Sequence, residues 1–329
     1  MYKKIKRMLR APFETAGAVV AVAAISLLPR RAMLAVCDFA SALMWAFDGR
    51  GRRRAHENLA VVFGRELPPD RERKIVRRSY RNMARSVGHM VWTCRKARVR
   101  AAQSAELDAR SRAFLAANKP CVTVSGHIGC WEVLSQLAFL EGHEIISVAK
   151  DVGTSAITRL LVRARKSIGQ EIIPVHGAFR PLLKGLKSGK TLGLLIDQAV
   201  RPSDGGIWVR FFGRPVPVSP GPAFFACKCS VPIAVAWSRP LKDGRYVCET
   251  VAEYSPQDAR DVWGVTQRCI LDLENVIRRH PSCWVLNYNA FRKHPKPGEL
   301  EQLAERERKW KQANEQAPAF PPVPQCFSR

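Results

Sequence analysis

Acidic residues are scarce in this chain, which has 28 Asp and Glu against 54 Lys and Arg and a formal net charge of +26. Such a surface disfavours cationic partners and favours anionic ones: nucleic acid, anionic lipid or an acidic protein. Residues 1–110 carry 24 basic and 9 acidic residues, a net of +15, next to the apolar stretches Thr15–Leu28 and Ala32–Phe47. Basic residues beside apolar helices indicate an anionic membrane before nucleic acid. Solvated charged faces in a generally Arg-rich protein are the alternative.

A long apolar run is also missing. Thr15–Leu28 has 14 residues, fewer than the roughly 20 that cross a bilayer, and the next apolar stretch contains Asp38. Pro29–Arg31 follows the first stretch in place of the small-residue cleavage site of a secretory signal. We therefore expect residues 1–48 to form short membrane-associated helices that lie on the membrane or re-enter it. A single tilted span, extended back toward Leu9, is the alternative.

Metal and phosphate motifs are absent as well. The ten cysteines show no metal-ligand spacing, and Cys227–Cys229 is too tight for the usual two-residue spacer. Gly205 and Gly206 lack the Lys-Ser/Thr ending of a phosphate loop, and we expect them to let Trp208–Phe212 fold back as a flap or hairpin. The sequence predicts reduced thiols in a cytosolic setting, no metal and no cofactor.

Patterning in the remaining chain predicts an α/β fold. Apolar residues make up 47% of the 329 residues and recur at helical spacing over Asp70–Val91, and residues 102–118 read as a further helix. After Pro120, short β-branched runs alternate with helical stretches. The predicted strands are Cys121–Ser125, Ile145–Ala149, Glu171–Val175, Thr191–Ile196, Pro232–Trp237 and Tyr246–Val251, and the predicted helices are Glu132–Leu140, Ser155–Ser167, Phe179–Ser188, Gly221–Cys229 and Val262–Arg279. This alternation predicts a mostly parallel central sheet with helices on both faces.

Three regions follow from these patterns. Residues 1–48 form the N-terminal membrane-associated helices, and residues 49–293 form the α/β domain, in which residues 49–118 are a helical lead-in. Residues 294–329 are charged and then Pro-rich, which predicts a C-terminal helix and a disordered tail.

The candidate catalytic segment is Val122–Glu132, where a strand meets a helix. His127 and Glu132 are five residues apart, about 140° around an unbroken helix, so they can meet only if His127 lies on the turn before the helix. Gly126 and Gly129 permit such a turn. Glu132 would then hold the ring of His127, and the histidine would act as a general base that deprotonates a hydroxyl for attack on an activated acyl group. A structural histidine that caps the helix is the alternative.

Six elements in chain order resemble the bacterial lipid A biosynthesis acyltransferase family. They are the Asn-Leu element Arg53–Phe63, the His-x4-acid motif Ser125–Glu132, the Asp-Gln block Gly189–Gln198, the Phe-Phe-Gly-x-Pro segment Phe211–Pro215, the short block Val231–Ile233, and Pro281–Trp284 with Arg292 and Lys293 behind it. The resemblance runs from Arg50 to Lys293. Six ordered elements are far more specific than any one of them.

The resemblance implies acyl transfer from acyl-carrier protein, or from coenzyme A, to a hydroxyl of a lipid A precursor at the cytoplasmic face of the inner membrane. It implies His127 as base, Glu132 as its orienting acid, and Asp197 with Gln198 as active-site residues. Arg163 and Arg165 match a basic helix that binds acceptor phosphates or the oxyanion, and the resemblance does not distinguish between the two. The acidic carrier protein would dock on exposed arginines of residues 71–100.

Two departures leave the acceptor open. Relatives carry a basic residue shortly after the Ile-Ile-Pro strand, where this chain has Val175–Gly177, and Trp284–Arg292 lacks the usual Trp-rich run. The alternatives are an acyl-coenzyme A-dependent phospholipid, lysophospholipid or aminolipid acyltransferase, and a non-enzymatic basic protein that binds membrane or nucleic acid. Four phenylalanines could line an acyl tunnel, with core packing as the stronger interpretation: Phe211, Phe212, Phe224 and Phe225.

Overall fold

A computed structural model describes residues 22–64, 67–149, 159, 162–163 and 165–313. The helices are α1 (Arg30–Phe47), α2 (Gly49–Phe63), α3 (Pro69–Thr93), α4 (Ala97–Ser104), α5 (Ala109–Ala117), α6 (Trp131–Leu140), α7 (Phe179–Lys187), α8 (Gly221–Cys229), α9 (Val262–Arg279) and α10 (Pro297–Ala313). The strands are β1 (Ala105–Leu107), β2 (Val122–Ser125), β3 (Ile145–Ala149), β4 (Gln170–Pro174), β5 (Thr191–Leu195), β6 (Ile207–Phe211), β7 (Arg214–Val218), β8 (Ile233–Pro240) and β9 (Tyr246–Tyr254).

Seven strands form the central sheet, in the order β1-β9-β8-β2-β5-β3-β4. Every pairing is parallel except that of β8 with β9, so the predicted mostly parallel sheet is confirmed. The prediction of one continuous helix over residues 102–118 is wrong. Ala105–Leu107 instead pairs with β9 as the edge strand β1, and Ser104 and Asp108 bound the helices on either side.

Both faces of the sheet are covered, as the alternating side chains of its strands require. On β8, Ile233 and Val235 belong to the large core cluster that includes residues of α7, α8 and α9. Ala234, between them, belongs to a second cluster with residues of α5 and α6 on the opposite face. The near-continuous apolar strands of the sequence reflect this burial on both sides.

The lead-in helices α2 and α3 fix the chain segment that follows α9. The Asn58 amide donates to the carbonyls of Leu286 (2.8 Å) and Tyr288 (2.6 Å). The Ser79 hydroxyl donates to the carbonyl of Trp284 at 2.6 Å. Buried carbonyl groups need such partners, so these helices determine where Trp284 lies.

Residues 207–218 form the predicted hairpin, made of β6 and β7. At its turn the backbone N–H of Phe212, a residue with φ of 50°, donates to the buried carboxylate of Glu274 at 2.6 Å. Burial raises the pKa of that carboxyl group to about 7. Helix α10 packs on the hairpin through buried Leu303 and the ion pair of Arg210 with Glu307 at 2.7 Å.

The predicted N-terminal anchor lies only partly within the described residues. Residues 1–21 lie outside the described residues, as do residues 314–329 and most of Ser155–Ser167, so the predictions for those stretches stay predictions. Among described residues no single helix is long and apolar enough to cross a bilayer, and α1 with α2, bent by 89°, meets that criterion only as a pair. One face of α1 packs on α3 through Met33 and Cys37.

Candidate active site

The turn between β2 and α6 presents His127 at the carboxyl end of the sheet. β2 ends at Ser125 and α6 begins at Trp131. Gly129 has φ of +66° and its N–H donates to the carbonyl of Cys283 at 2.8 Å, and the Cys130 N–H donates to the Ser238 hydroxyl at 2.7 Å. His127 therefore precedes the helix, as predicted, on a turn that neighbouring segments hold in place.

Asp197 is the carboxylate that holds His127. Its Oδ1 lies 2.8 Å from Nδ1 of the His127 ring. Its Oδ2 accepts the backbone N–H of His127 at 2.9 Å and the indole N–H of Trp284 at 3.0 Å. The carboxylate is almost fully buried, and these three hydrogen bonds compensate for its lost hydration.

This arrangement fixes the tautomer of His127. An ionised carboxylate only accepts hydrogen bonds, so Nδ1 carries the proton and donates it to Asp197. Nε2 is left with a lone pair, and the amide nitrogen of Gln198 lies 3.3 Å from it. Trp131 borders the ring, with the two ring centroids 4.9 Å apart. A neutral imidazole with a lone pair on Nε2 is the form that a general base requires.

The predicted contact of Glu132 with His127 is wrong. Glu132 is buried in the first turn of α6, where its carboxylate accepts the indole N–H of Trp131 at 3.1 Å. It pairs with the guanidinium of Arg165, with Arg165 Nη2 2.6 Å from Oε1 and Nε 3.2 Å from Oε2. Both oxygens of Glu132 thus accept hydrogen bonds from the guanidinium of Arg165. Asp197, which follows β5, binds the histidine instead.

The two candidate arginines differ in environment. Arg163 is exposed, whereas the Arg165 side chain is 19% exposed and pairs with Glu132, which is 4% exposed. A buried carboxylate of this kind needs a counter-ion, so Arg165 is the arginine that the site includes. His127 with Asp197 and Glu132 with Arg165 thus form two adjacent charged pairs at one end of the sheet.

Electrostatics at the site favour a basic histidine. Burial acts to lower the pKa of His127, but the negative charge and hydrogen bond of Asp197, with a further contribution from Glu132, raise that pKa above its usual value. Burial likewise acts to raise the pKa of Asp197, and the hydrogen bonds and charge of His127 outweigh it and lower the pKa. The acid therefore stays ionised while the histidine gains affinity for a proton.

Comparison with known proteins gives the family. The sequence profile described as bacterial lipid A biosynthesis acyltransferase matches residues 3–293. The chain belongs to this family. The predicted family is confirmed.

Two curated relatives in the comparison are more distant. They are the phosphatidylinositol mannoside acyltransferases of Mycobacterium tuberculosis strains CDC 1551 / Oshkosh and H37Rv, each 24% identical over 176 residues. The matched part is 52% of this chain and 54% of each relative, so the chain spans about half the length of these relatives.

Elements that mark the acyltransferase family meet around His127. Trp284 donates to Asp197 of the Asp-Gln block, and its backbone is held by the lead-in helices. The rings of Phe211 and Phe212 lie 5.8 and 6.1 Å from that of Trp284. Trp284 stands in one of the family motifs, but the sequence predicted no role for it. Ser238 was not predicted, because no motif marks it. Motifs scattered over some 230 residues therefore describe one site.

The four phenylalanines divide between core and surface. Phe211, Phe212 and Phe225 are buried in the large core cluster, so packing is the better interpretation for these three. Phe224 is 38% exposed.

Gly129 offers a matched test of the turn. A Cβ at Gly129 would overlap the carbonyl oxygen of Ser238, whereas Gly177, with φ of +74°, has no atom within 4 Å of an added Cβ. We expect Gly177→Ala to lower the free energy of unfolding by about 1–2 kcal/mol, the strain of a left-handed alanine, with little change in kcat. Gly129→Ala should also displace His127 and lower kcat by about a hundredfold or more. Thermal unfolding and steady-state kinetics check this, and equal effects of the two substitutions would contradict it.

Asp197→Asn tests the histidine–carboxylate pair. If His127 is the general base, only its neutral form is active, so kcat/KM of the native enzyme should rise with pH through a pKa above the usual histidine value of about 6.5. Asparagine removes the charge that raises this pKa, so the acid limb should move to lower pH. The limiting rate should fall by about two to four orders of magnitude because the amide no longer fixes the tautomer. An unchanged acid limb in the pH–rate profile would contradict this assignment.

Proposed function

We propose that the chain transfers a fatty acyl group from an acyl thioester to a hydroxyl of an anionic glycolipid, with His127 as general base. The observation that supports this most is the Asp197–His127 hydrogen bond at 2.8 Å, which leaves Nε2 as a base at the end of the sheet. Ligands of largely parallel sheets bind beyond the carboxyl ends of the strands, where this ring lies.

The proposed reaction has two proton steps. Nε2 of His127 takes the proton of the acceptor hydroxyl while the hydroxyl oxygen attacks the thioester carbonyl carbon. When the tetrahedral intermediate collapses, the carbon–sulfur bond breaks, and the imidazolium returns its proton to the leaving thiolate. Asp197 stays ionised and stabilises the imidazolium between these steps.

Arg165 is the proposed stabiliser of the oxyanion. Backbone amides near Gly126–Gly129 are the alternative, but those of His127, Ile128 and Gly129 already donate within the protein, to Asp197, Gly126 and Cys283. Arg165 places a guanidinium beside the histidine, close enough to influence its pKa, and Glu132 holds that guanidinium. Preorganised charge of this kind stabilises the developing negative oxygen.

The proposed donor and acceptor are supported by chemistry and by the family. Acyl-carrier protein is the proposed donor, with acyl-coenzyme A as the alternative, and the proposed acceptor is a lipid A precursor or a related glycolipid. The named substrate class of the mycobacterial relatives, phosphatidylinositol mannoside, is also an anionic glycolipid. We place the enzyme at the cytoplasmic face of the inner membrane, where the exposed apolar residues Phe39, Leu43 and Phe47 of α1 would meet lipid.

Substitution at the two pairs tests the proposed reaction. His127→Ala should abolish transfer, and Glu132→Ala should lower kcat by about a hundredfold or more because it releases Arg165 and leaves that charge unpaired. Acyl transfer from radiolabelled acyl-carrier protein and acyl-coenzyme A to extracted membrane lipid measures both. Glu141→Ala, at the exposed residue directly after the same helix, is the control and should retain activity.

Two outcomes would oppose the proposal. Full activity of either site variant with an intact fold would remove that residue from the mechanism. Absence of transfer by the native enzyme from both donors would remove the function. Mass spectrometry of lipids from a strain without the gene should show one missing acyl chain, which identifies the acceptor.

Arginines of α3 test the proposed donor. Arg77, Arg78 and Arg81 are exposed, and an acidic carrier protein would bind them by charge. Reversing the three charges to Glu should raise KM for the acyl-carrier-protein substrate by about tenfold and leave KM for acyl-coenzyme A within twofold. Equal KM values before and after the substitution would reject this docking site.

A further inference from the structure

Three large apolar side chains remain exposed at the carboxyl edge of the sheet. Val175 directly follows β4 and is 42% exposed, Phe179 begins α7 and is 51% exposed, and Phe224 in α8 is 38% exposed. We call these three residues the edge patch. The patch lies at the same edge as His127, which follows β2. β4 is three strands from β2, about 14 Å across the sheet.

The edge patch is firmly supported. The ring centroids of Phe179 and Phe224 are 5.5 Å apart, and Phe179 is also 5.5 Å from Phe225, which is buried in the core. The exposed rings therefore rest on a packed base. The two rings are therefore exposed in fixed positions on the folded surface.

Basic residues surround the edge patch. Arg180 and Lys184 are exposed on α7, and Lys228 is exposed one turn after Phe224 on α8. Residues 175–190 and 219–230 contain no Asp or Glu. The patch thus combines apolar tips with basic residues on the two helices that carry it.

We propose that the edge patch docks on the surface of an anionic lipid bilayer, so that the active-site edge faces the membrane. Aromatic and aliphatic tips enter the boundary between head groups and acyl chains, and each neighbouring Lys or Arg gains from the negative surface potential. The proposal deepens the proposed function and rests on it for the location of the acceptor in a membrane.

A second copy of the chain is a poorer occupant. A symmetric dimer through this surface would bring Arg180, Lys184 and Lys228 of one copy against the same residues of the other. Like charges at such a contact oppose association. An anionic bilayer has the complementary charge.

Vesicle sedimentation with the full chain tests the proposal. Vesicles of phosphatidylglycerol with phosphatidylcholine provide the anionic surface, and vesicles of phosphatidylcholine alone provide the neutral one. The double substitution of Phe179→Ser with Phe224→Ser should lower partitioning onto both kinds of vesicle by about tenfold, because the exposed ring area no longer leaves water. Val99→Ser, at a residue 54% exposed on α4, is the matched control and should change partitioning by less than twofold.

Charge reversal tests the basic border without disturbing the rings. Arg180→Glu with Lys184→Glu should lower partitioning onto the anionic vesicles by about tenfold or more and leave partitioning onto the neutral vesicles unchanged. If the serine variant fails to fold, amide hydrogen exchange of the native chain replaces it. Residues 175–184 and 221–228 should then be protected by anionic vesicles, and residues 97–104 should not.

The outcomes separate this proposal from acyl transfer. Unchanged partitioning of both double variants, or no protection at the edge patch, would overturn it even if the native chain transfers acyl groups. If the double variants lose self-association but keep vesicle binding, the patch is a dimer contact and the proposal is overturned. Vesicle binding that depends on the edge patch would uphold it even if no acyl transfer were detected.

Discussion

The buried carboxylate of Asp197 is the group on which the site depends. It accepts hydrogen bonds from the ring of His127, from the backbone of His127 and from Trp284. These three donors come from the β2–α6 turn and from the segment after α9, so one carboxylate connects parts of the chain that are far apart in sequence. Removing an ion of this kind from water is expensive, and only a complete set of donors makes it tolerable. The polar contacts around Asp197 therefore contribute more to the geometry of the His127 site than to the stability of the fold.

Glu132 and Arg165 give the site a second, separate function. Their pairing places a positive charge beside the histidine without placing an acid on its ring. In the proposed mechanism one pair moves the proton and the other presents positive charge to the reacting carbonyl group.

The proposed orientation of the molecule on a membrane rests on the distribution of its exposed apolar residues. Exposed apolar residues lie on α1 and at the edge patch, and both regions carry basic neighbours. The catalytic turn opens at the edge that holds the second of these regions. An enzyme whose acceptor is a lipid needs this arrangement, because its substrate stays in the bilayer while the hydroxyl reaches the base.

The sequence by itself determined most of the order of strands and helices, the mostly parallel sheet, His127 at a strand-to-helix turn, and the family, but not the edge strand β1. These are local or chain-ordered properties, and periodicity and motifs carry them. Only the tertiary structure decided which acid holds the histidine. His127 and Glu132 are five residues apart, but a carboxylate 70 residues away on a neighbouring strand reaches the ring, since β2 and β5 pair in parallel and end side by side. Spacing along the sequence does not reveal that proximity. It also could not show that Arg165 binds Glu132.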